Sequence, residues 1–272
     1  MRRAVLVAAL LSAPMAAPLG AQRAAVDAPL MQERRDHAAF LRTSPTSPYA
    51  ALAHQPVGTG LVLGPADADL PIDGLRRHEV RVAGRSIKLR DPAGLVTPLV
   101  RHRATAAGPV ALLVRGTARR PVLTVYGALP AQSPEPQWYP PAPRERQIVT
   151  LVPSAARTPL TLLDSDGIDA EAAEAGIVVL ASGDTLRVRR LAIGEDESEL
   201  EIFFRDATNG TSTYPAGRFI TLSATRDGRY LLDFNRARSP SCAYSTIFPC
   251  PAPWPGNTLA RAVMAGERYK AK

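Results

Sequence analysis

The chain has 272 residues, 46% of them hydrophobic and 6% aromatic, and a formal charge of +8. That length supplies one large or two small domains. The charge does not mark a nucleic-acid binder: lysine occurs only at 88, 270 and 272, the arginines are scattered, and no basic stripe interleaved with aromatics is present.

In chain order, the first residues read as a secretory leader over 1–21. Arg2 and Arg3 precede an apolar run from Ala4 to Leu11, and small residues lead to a cut after Ala21. The run is too short to span a bilayer as a mature helix, and no later segment is apolar enough to do so. The expected product is exported to the periplasm or the extracellular space, with no transmembrane segment in the mature chain. Residues 22–55 are expected to hold a short N-terminal helix and a linker. Met31, Ala38, Phe40 and Leu41 share a face of the stretch 30–44, which Pro45 and Pro48 terminate.

From residue 60 the texture is β. Short Val- and Leu-rich runs such as "EVRVAG", "SIKLRD" and "RPVLTVYG" alternate with Gly, Pro or Asp. They define an N-terminal β lobe over 56–127. Residues 128–147 are proline-rich and read as an extended linker, with Trp138 and Tyr139 able to pin it to a neighbouring surface. The C-terminal β lobe takes 148–272. Its turns fall at Ser182-Gly183-Asp184, Asn209-Gly210 and Asp227-Gly228, pairs suited to tight hairpins. "DAEAAEAG" (169–176) reads as helix or loop. The fold class is therefore mainly β: two β-rich lobes, sandwich or barrel-like, with antiparallel hairpins and a short N-terminal helix after the leader.

Cys242 and Cys250 are the chain's two cysteines. In an oxidising compartment they are expected to form a disulfide rather than a metal site, which would need more ligands. His37, His54, His78 and His102 match no local metal motif, and His78 reads as a surface residue. No metal and no cofactor is expected. No G-x-S-x-G elbow, H-E-x-x-H, Walker loop or C-x-x-C occurs.

The stretch "LLDFNRARSPSCAYSTIFPC" (231–250) carries the candidate site. With a two-residue turn at Asp227-Gly228, Leu222 faces Asp233, Ile220 faces Asn235 and Phe219 faces Arg236. A turn at Asn209-Gly210 sets Glu201 opposite Arg218. Alternation then puts Leu232 and Phe234 in the core. These pairings gather Glu201, Arg218, Asp233, Asn235 and Arg236 at one end of a sheet, with Asp206 and Tyr214 beside them. One reading is a pocket in which Arg218 or Arg236 holds an anionic or polyhydroxylated small molecule. Another is a hydrolase that uses the carboxylate pair Asp206 and Asp233 with Arg218 as electrophilic support. The third is structural: an ordinary cross-strand ion pair, with Asp233 and Asn235 bonding loop backbone in an envelope protein.

The same residues carry a family resemblance. "FFRDATNGTSTYPAGRF", "LDFNRARSPSCAYSTIFPCPAPWPGNTL" and "AGERY" resemble the bacterial family catalogued as domain of unknown function 1684, and "ERRDHAAFLRTSPTSPY" is similar to its opening segment. The resemblance implies no activity. It singles out Phe204, Asp206, Thr208, Gly210, Tyr214, Gly217, Arg218, Asp233, Phe234, Asn235, Arg236, Pro240, Cys242, Cys250, Pro251 and Asn257 as typical positions. Upstream, "GLVLGPADADLPIDGLRRHEVRVAG" is similar to the forkhead-associated phosphopeptide-binding sandwich. Pro65 and Leu75 stand where its anion-contacting arginine and serine would be, so the likeness implies topology without phosphothreonine recognition.

Overall fold

A computed structural model describes residues 19–155, 159–192, 197–252 and 254–270, with backbone alone for 19–26. All but the end of the expected leader, 1–21, lies outside the described residues. A helix, α1 (Leu19–Thr43), comes first among the described residues. It begins well before residue 30, and of the expected face Leu41 is buried, together with Leu30 and Arg34, whereas Met31 and Phe40 are exposed. The reason is polar. Arg34 reaches across the helix's contact with the C-terminal half, donating from Nη1 to Tyr139 O (2.9 Å) and from Nη2 to Asn235 O (3.1 Å). Among the described residues no helix is long and apolar enough to cross a membrane.

The strands of the N-terminal half are β1 (Ala51–Pro56), β2 (Gly60–Gly64), β3 (Leu70–Pro71), β4 (His78–Ala83), β5 (Ser86–Arg90), β6 (Val96–Pro98), β7 (Thr105–Ala107), β8 (Val110–Gly116) and β9 (Pro121–Tyr126). They form a sheet ordered β3-β2-β4-β5-β6 and another ordered β1-β9-β8-β7. Leu63, Val80, Ile87 and Leu89 of one sheet share a core with Leu112, Val114, Leu123 and Val125 of the other, so the two pack as a sandwich. Leu75 joins this core. His78, expected at the surface, is also buried, with Nδ1 2.7 Å from Arg76 O. Strand β9 is buried along its whole length. Leu123 and Val125 face the sandwich core, whereas Tyr126 clusters with Ala50, Cys242 and Phe248.

The C-terminal half contains β10 (Gln137–Trp138), β11 (Arg146–Val149), β12 (Leu151–Pro153), β13 (Pro159–Leu163), β14 (Asp169–Val179), β15 (Thr185–Ala192), β16 (Ser198–Phe204), β17 (Arg218–Thr221), β18 (Ser223–Ala224), β19 (Tyr230–Asp233) and β20 (Glu267–Arg268). One sheet runs β12-β14-β15-β16-β17, with β13 also on β14; another runs β11-β19-β18, and β10 pairs with β20. Val178, Leu186, Ile202, Phe204, Ile220, Leu232 and Phe234 form their common core. The protein is mainly β, with several antiparallel sheets and one N-terminal helix. Three further residue-level expectations need correction. Residues 169–176 are part of β14, not helix or loop. Their Ala and Glu content favours a helix locally, but β13 and β15 flank them, and Ala170 and Ala172 are buried in strand alternation around exposed Glu171. Where β12 replaces β13 as neighbour, Gly176 sits at φ +146°, and a Cβ there would fall 2.0 Å from Val152 O.

The other two corrections concern register. Thr225 N–H bonds Arg229 O, so residues 226–228 form a longer turn than two residues, and Ser223 pairs with Leu231. The longer turn shifts the ladder beside it by one position, and Phe219, expected opposite Arg236, lies opposite Arg238. Between β16 and β17 the chain makes an excursion over 205–217, so Arg218 lies opposite Phe204 and Glu201 opposite Thr221.

Candidate functional site

Of the seven expected site residues, Arg218 is the most enclosed, with 0% exposure. Its Nη2 donates to Asp206 Oδ2 (2.8 Å) and Val263 O (3.0 Å), and its Nη1 to Ala265 O and to Glu267 O (3.3 Å). Asp206 also accepts from the Thr208 hydroxyl and from Val263 N–H. Burial alone would raise the Asp206 carboxyl; the Arg218 guanidinium and the Thr208 bonds hold it below its ordinary value. Asp233 caps a 3-10 turn at Phe234–Arg236, accepting from Asn235 N–H (3.0 Å) and Asn235 Nδ2 (2.8 Å). Asn235 then completes a two-way amide pair with the Pro-rich segment: Oδ1 accepts from Ala142 N–H (2.7 Å) and Nδ2 donates to Ala142 O (3.0 Å). Arg236 pairs with Glu33 of α1 at 3.0 Å. The Tyr214 hydroxyl donates to Cys242 O (3.1 Å).

Asp206, Arg218, Asp233, Asn235 and Arg236 thus bind α1, the 134–146 segment and the C-terminal run 263–268 to one another. Asp206 and Asp233 each serve a different local partner, Arg218 for the first and Asn235 for the second. Glu201 stands apart from Arg218. It is buried beside Arg189 of β15, with Oε1 lacking a partner among the described residues. Burial pushes its carboxyl well up, and Glu199, Asp164 and Asp166 add to the effect.

An open cleft lies elsewhere, between the sandwich and the disulfide-closed segment. It encloses about 270 Å3. Its polar lining is Arg115, Tyr126, Asp166, Ser241, Thr46 and His102; Phe40, Pro48, Leu113 and Phe248 supply apolar surface. Three distant stretches make its base. Arg115 on β8 forms an ion pair through Nη1 with Asp166 and through Nη2 with Asp164 (3.2 Å). The Ser241 hydroxyl donates to the other Asp166 oxygen. Asp164 shapes the turn that presents Asp166, accepting at Oδ1 from Asp166 N–H (2.8 Å) and Ile168 N–H (3.0 Å). Gly167 lets this turn press against the disulfide loop: φ is +67°, and a Cβ would lie 2.2 Å from Pro249 O. The Cys242 and Cys250 sulfurs are 2.24 Å apart, with Cα atoms at 5.5 Å.

Asp166 retains 31% of its side-chain surface despite its two partners. Burial would raise its carboxyl, but Arg115 and the Ser241 bond hold it below the ordinary range. Burial pushes Asp164 up to about 6, Arg115 opposing and the Asp166 charge adding. Burial and the Asp166 charge push the Tyr126 phenol up to about 12. His102 takes φ +60°, a rare backbone state for a non-glycine residue; burial, Arg115 and Arg101 lower its imidazole. Near neutral pH the cleft therefore presents an ionised Asp166, a protonated phenol and a neutral imidazole. Among the described residues no group of three or more His, Cys, Asp or Glu is placed to hold a metal.

Residues 134–268 match the family model described as "Protein of unknown function (DUF1684)". No curated protein matches. Among solved structures the chain is similar to the solution NMR structure of an uncharacterized protein from Haloarcula marismortui, at 33% identity and a TM-score of 0.41, covering 50% of this chain and 76% of that one.

Proposed function

We propose that this chain, whose residues 134–268 carry the match to the DUF1684 family of unknown function, is an exported domain that binds a small molecule in the cleft floored by Arg115, Asp166 and Ser241. One observation carries the reading: a concave, partly apolar space in which an ionised carboxylate, three hydroxyls and an imidazole converge. The network around Arg218 and Asp233 is assigned a scaffolding role, since the terminal nitrogens of Arg218 and the carboxylates of Asp206 and Asp233 bond protein partners. Export rests on the leader-like start and on the cysteine pair at bonding distance. Its check is the N-terminus of the protein recovered from the exported fraction: Gln22 is expected, and a chain that keeps Met1 in the cytoplasm would contradict it.

The binding test is a ligand-observed NMR screen of small polar metabolites against the wild type and Leu113→Trp, which fills the cleft from β8. Thr46→Trp at the rim replaces it if the first variant fails to fold. Hits that the filled variant loses are expected. A screen without hits, or hits that both proteins bind equally, would overturn the reading.

A further inference from the structure

We infer that the cleft's ligand is neutral and polyhydroxylated, of the size of a single sugar ring, with its hydroxyls on Asp166, Ser241 and Tyr126. This rests on the binding reading above and narrows it.

Arg115 is the one arginine or lysine among the residues that line the cleft, and both of its terminal nitrogens already face carboxylates. An incoming anion would compete with Asp164 and Asp166 for the same guanidinium and meet their repulsion at close range, so the chain's overall +8 gives it no local anchor. A cation gains less than it would from a free carboxylate, because both Asp166 oxygens already have partners in Arg115 and Ser241. A neutral hydroxyl suffers neither conflict. It can donate to a carboxylate oxygen of Asp166, each of which retains acceptor capacity beyond its one protein partner, and can accept from a hydroxyl of the lining.

The remaining features agree with that class. Tyr126 and Thr46 carry hydroxyls that can donate or accept, and Ser241, whose proton goes to Asp166, can accept from the ligand. Phe40, Pro48, Leu113 and Phe248 supply apolar surface for the C–H side of a ring. At about 270 Å3 the cleft is smaller than the roughly 300–1,000 Å3 typical of drug-sized pockets, which suits one ring or the terminal unit of a glycan better than an extended chain.

The test is isothermal titration of the full exported chain with neutral hexoses, the matching hexose 6-phosphates and 2-amino-2-deoxyhexoses, at pH 7.5 and physiological salt. At least one neutral hexose is expected to bind about tenfold more tightly than both charged counterparts. Tyr126→Phe, which removes one oxygen and no volume of consequence, should weaken that hexose by about tenfold, as should Ser241→Ala. A phosphorylated or amino sugar that binds as well as the neutral one overturns the class. If no hexose binds but another small molecule does so in a manner lost in Leu113→Trp, the class fails and the binding reading stands. If nothing binds in that manner, both fail.

Discussion

Arg218 and Asp206 form an ion pair buried inside the C-terminal half. Each has 0% side-chain exposure, and backbone carbonyls of the 263–267 run accept from the arginine's terminal nitrogens. Removing one partner strands the other charge in the interior. Arg218→Ala is therefore expected to lower unfolding free energy by about 3–5 kcal/mol in urea titrations, and a loss below about 1 kcal/mol would mean that the pair is solvated. The convergence of Asp233, Asn235 and Arg236 was legible because the hydrophobic run Leu231–Phe234 leads directly into them. The facing of Leu232 and Phe234 into the core also followed from alternation. What could not be read was the partner of each. The 205–217 excursion moves Arg218 three positions along β16 away from Glu201, and the longer turn at 226–228 displaces the next ladder by one. Turn length sets register, and a dipeptide such as Asn209-Gly210 marks a turn without giving the length of the loop around it.

At the scale of elements, β14 shows tertiary pairing overriding local preference: its Ala- and Glu-rich start would favour a helix in isolation, yet both of its edges are hydrogen-bonded to neighbours. The segment 239–250 is the opposite case, with little regular structure and a position fixed by covalent and steric contacts. Its disulfide spans eight residues of sequence separation, for which chain entropy gives about 2.5 kcal/mol. A reduced sample should melt at a lower temperature than the oxidised one, and identical melts would contradict that contribution. Gly167→Ala tests the steric contact. The positive φ and the close Pro249 carbonyl leave no room for a methyl group, so a loss of at least about 1–2 kcal/mol is expected. An unchanged stability would show that the 164–168 turn does not press against the disulfide loop.

Across the whole molecule, α1 is joined to the C-terminal half by a buried chain of polar groups. His37 Nε2 lies 3.1 Å from the Tyr244 hydroxyl, which donates to Glu267, and Glu267 accepts from Ser239 N–H at 2.8 Å. Burial pushes the Glu267 carboxyl up to about 7, against the pull of Tyr244, Ser239, Arg238 and Arg218. The folded form thus binds a proton that the unfolded form has released between about pH 4.5 and pH 7. Stability from this group is full below that window and falls as pH rises through it. Burial and then Arg238 lower His37 to about 4, which acts in the opposite direction, its contribution being lost as pH falls from 6.5. Comparison with Glu267→Gln isolates the first effect. The wild type's stability relative to this variant should drop by about 3 kcal/mol from pH 4.5 to 7.5, and a constant difference would refute the buried acid.

The cleft belongs to this largest scale, and for that reason it was not legible. Arg115, Asp166 and Ser241 are far apart in sequence; Arg115 and Asp166 sit in stretches that read as ordinary strand or turn, and only Ser241 falls in the 231–250 stretch that drew attention. Only the packing of the sandwich against the disulfide segment, through Tyr126, Cys242 and Phe248, brings them together. Two-dimensional NMR of the isotope-labelled protein during titration with the best-bound neutral sugar tests the central claim most directly. The account predicts shifts confined to the backbone around Thr46, Arg115, Tyr126, Asp166 and Ser241. Shifts centred on Arg218, Asp233 and Asn235, with the cleft residues unmoved, would contradict it.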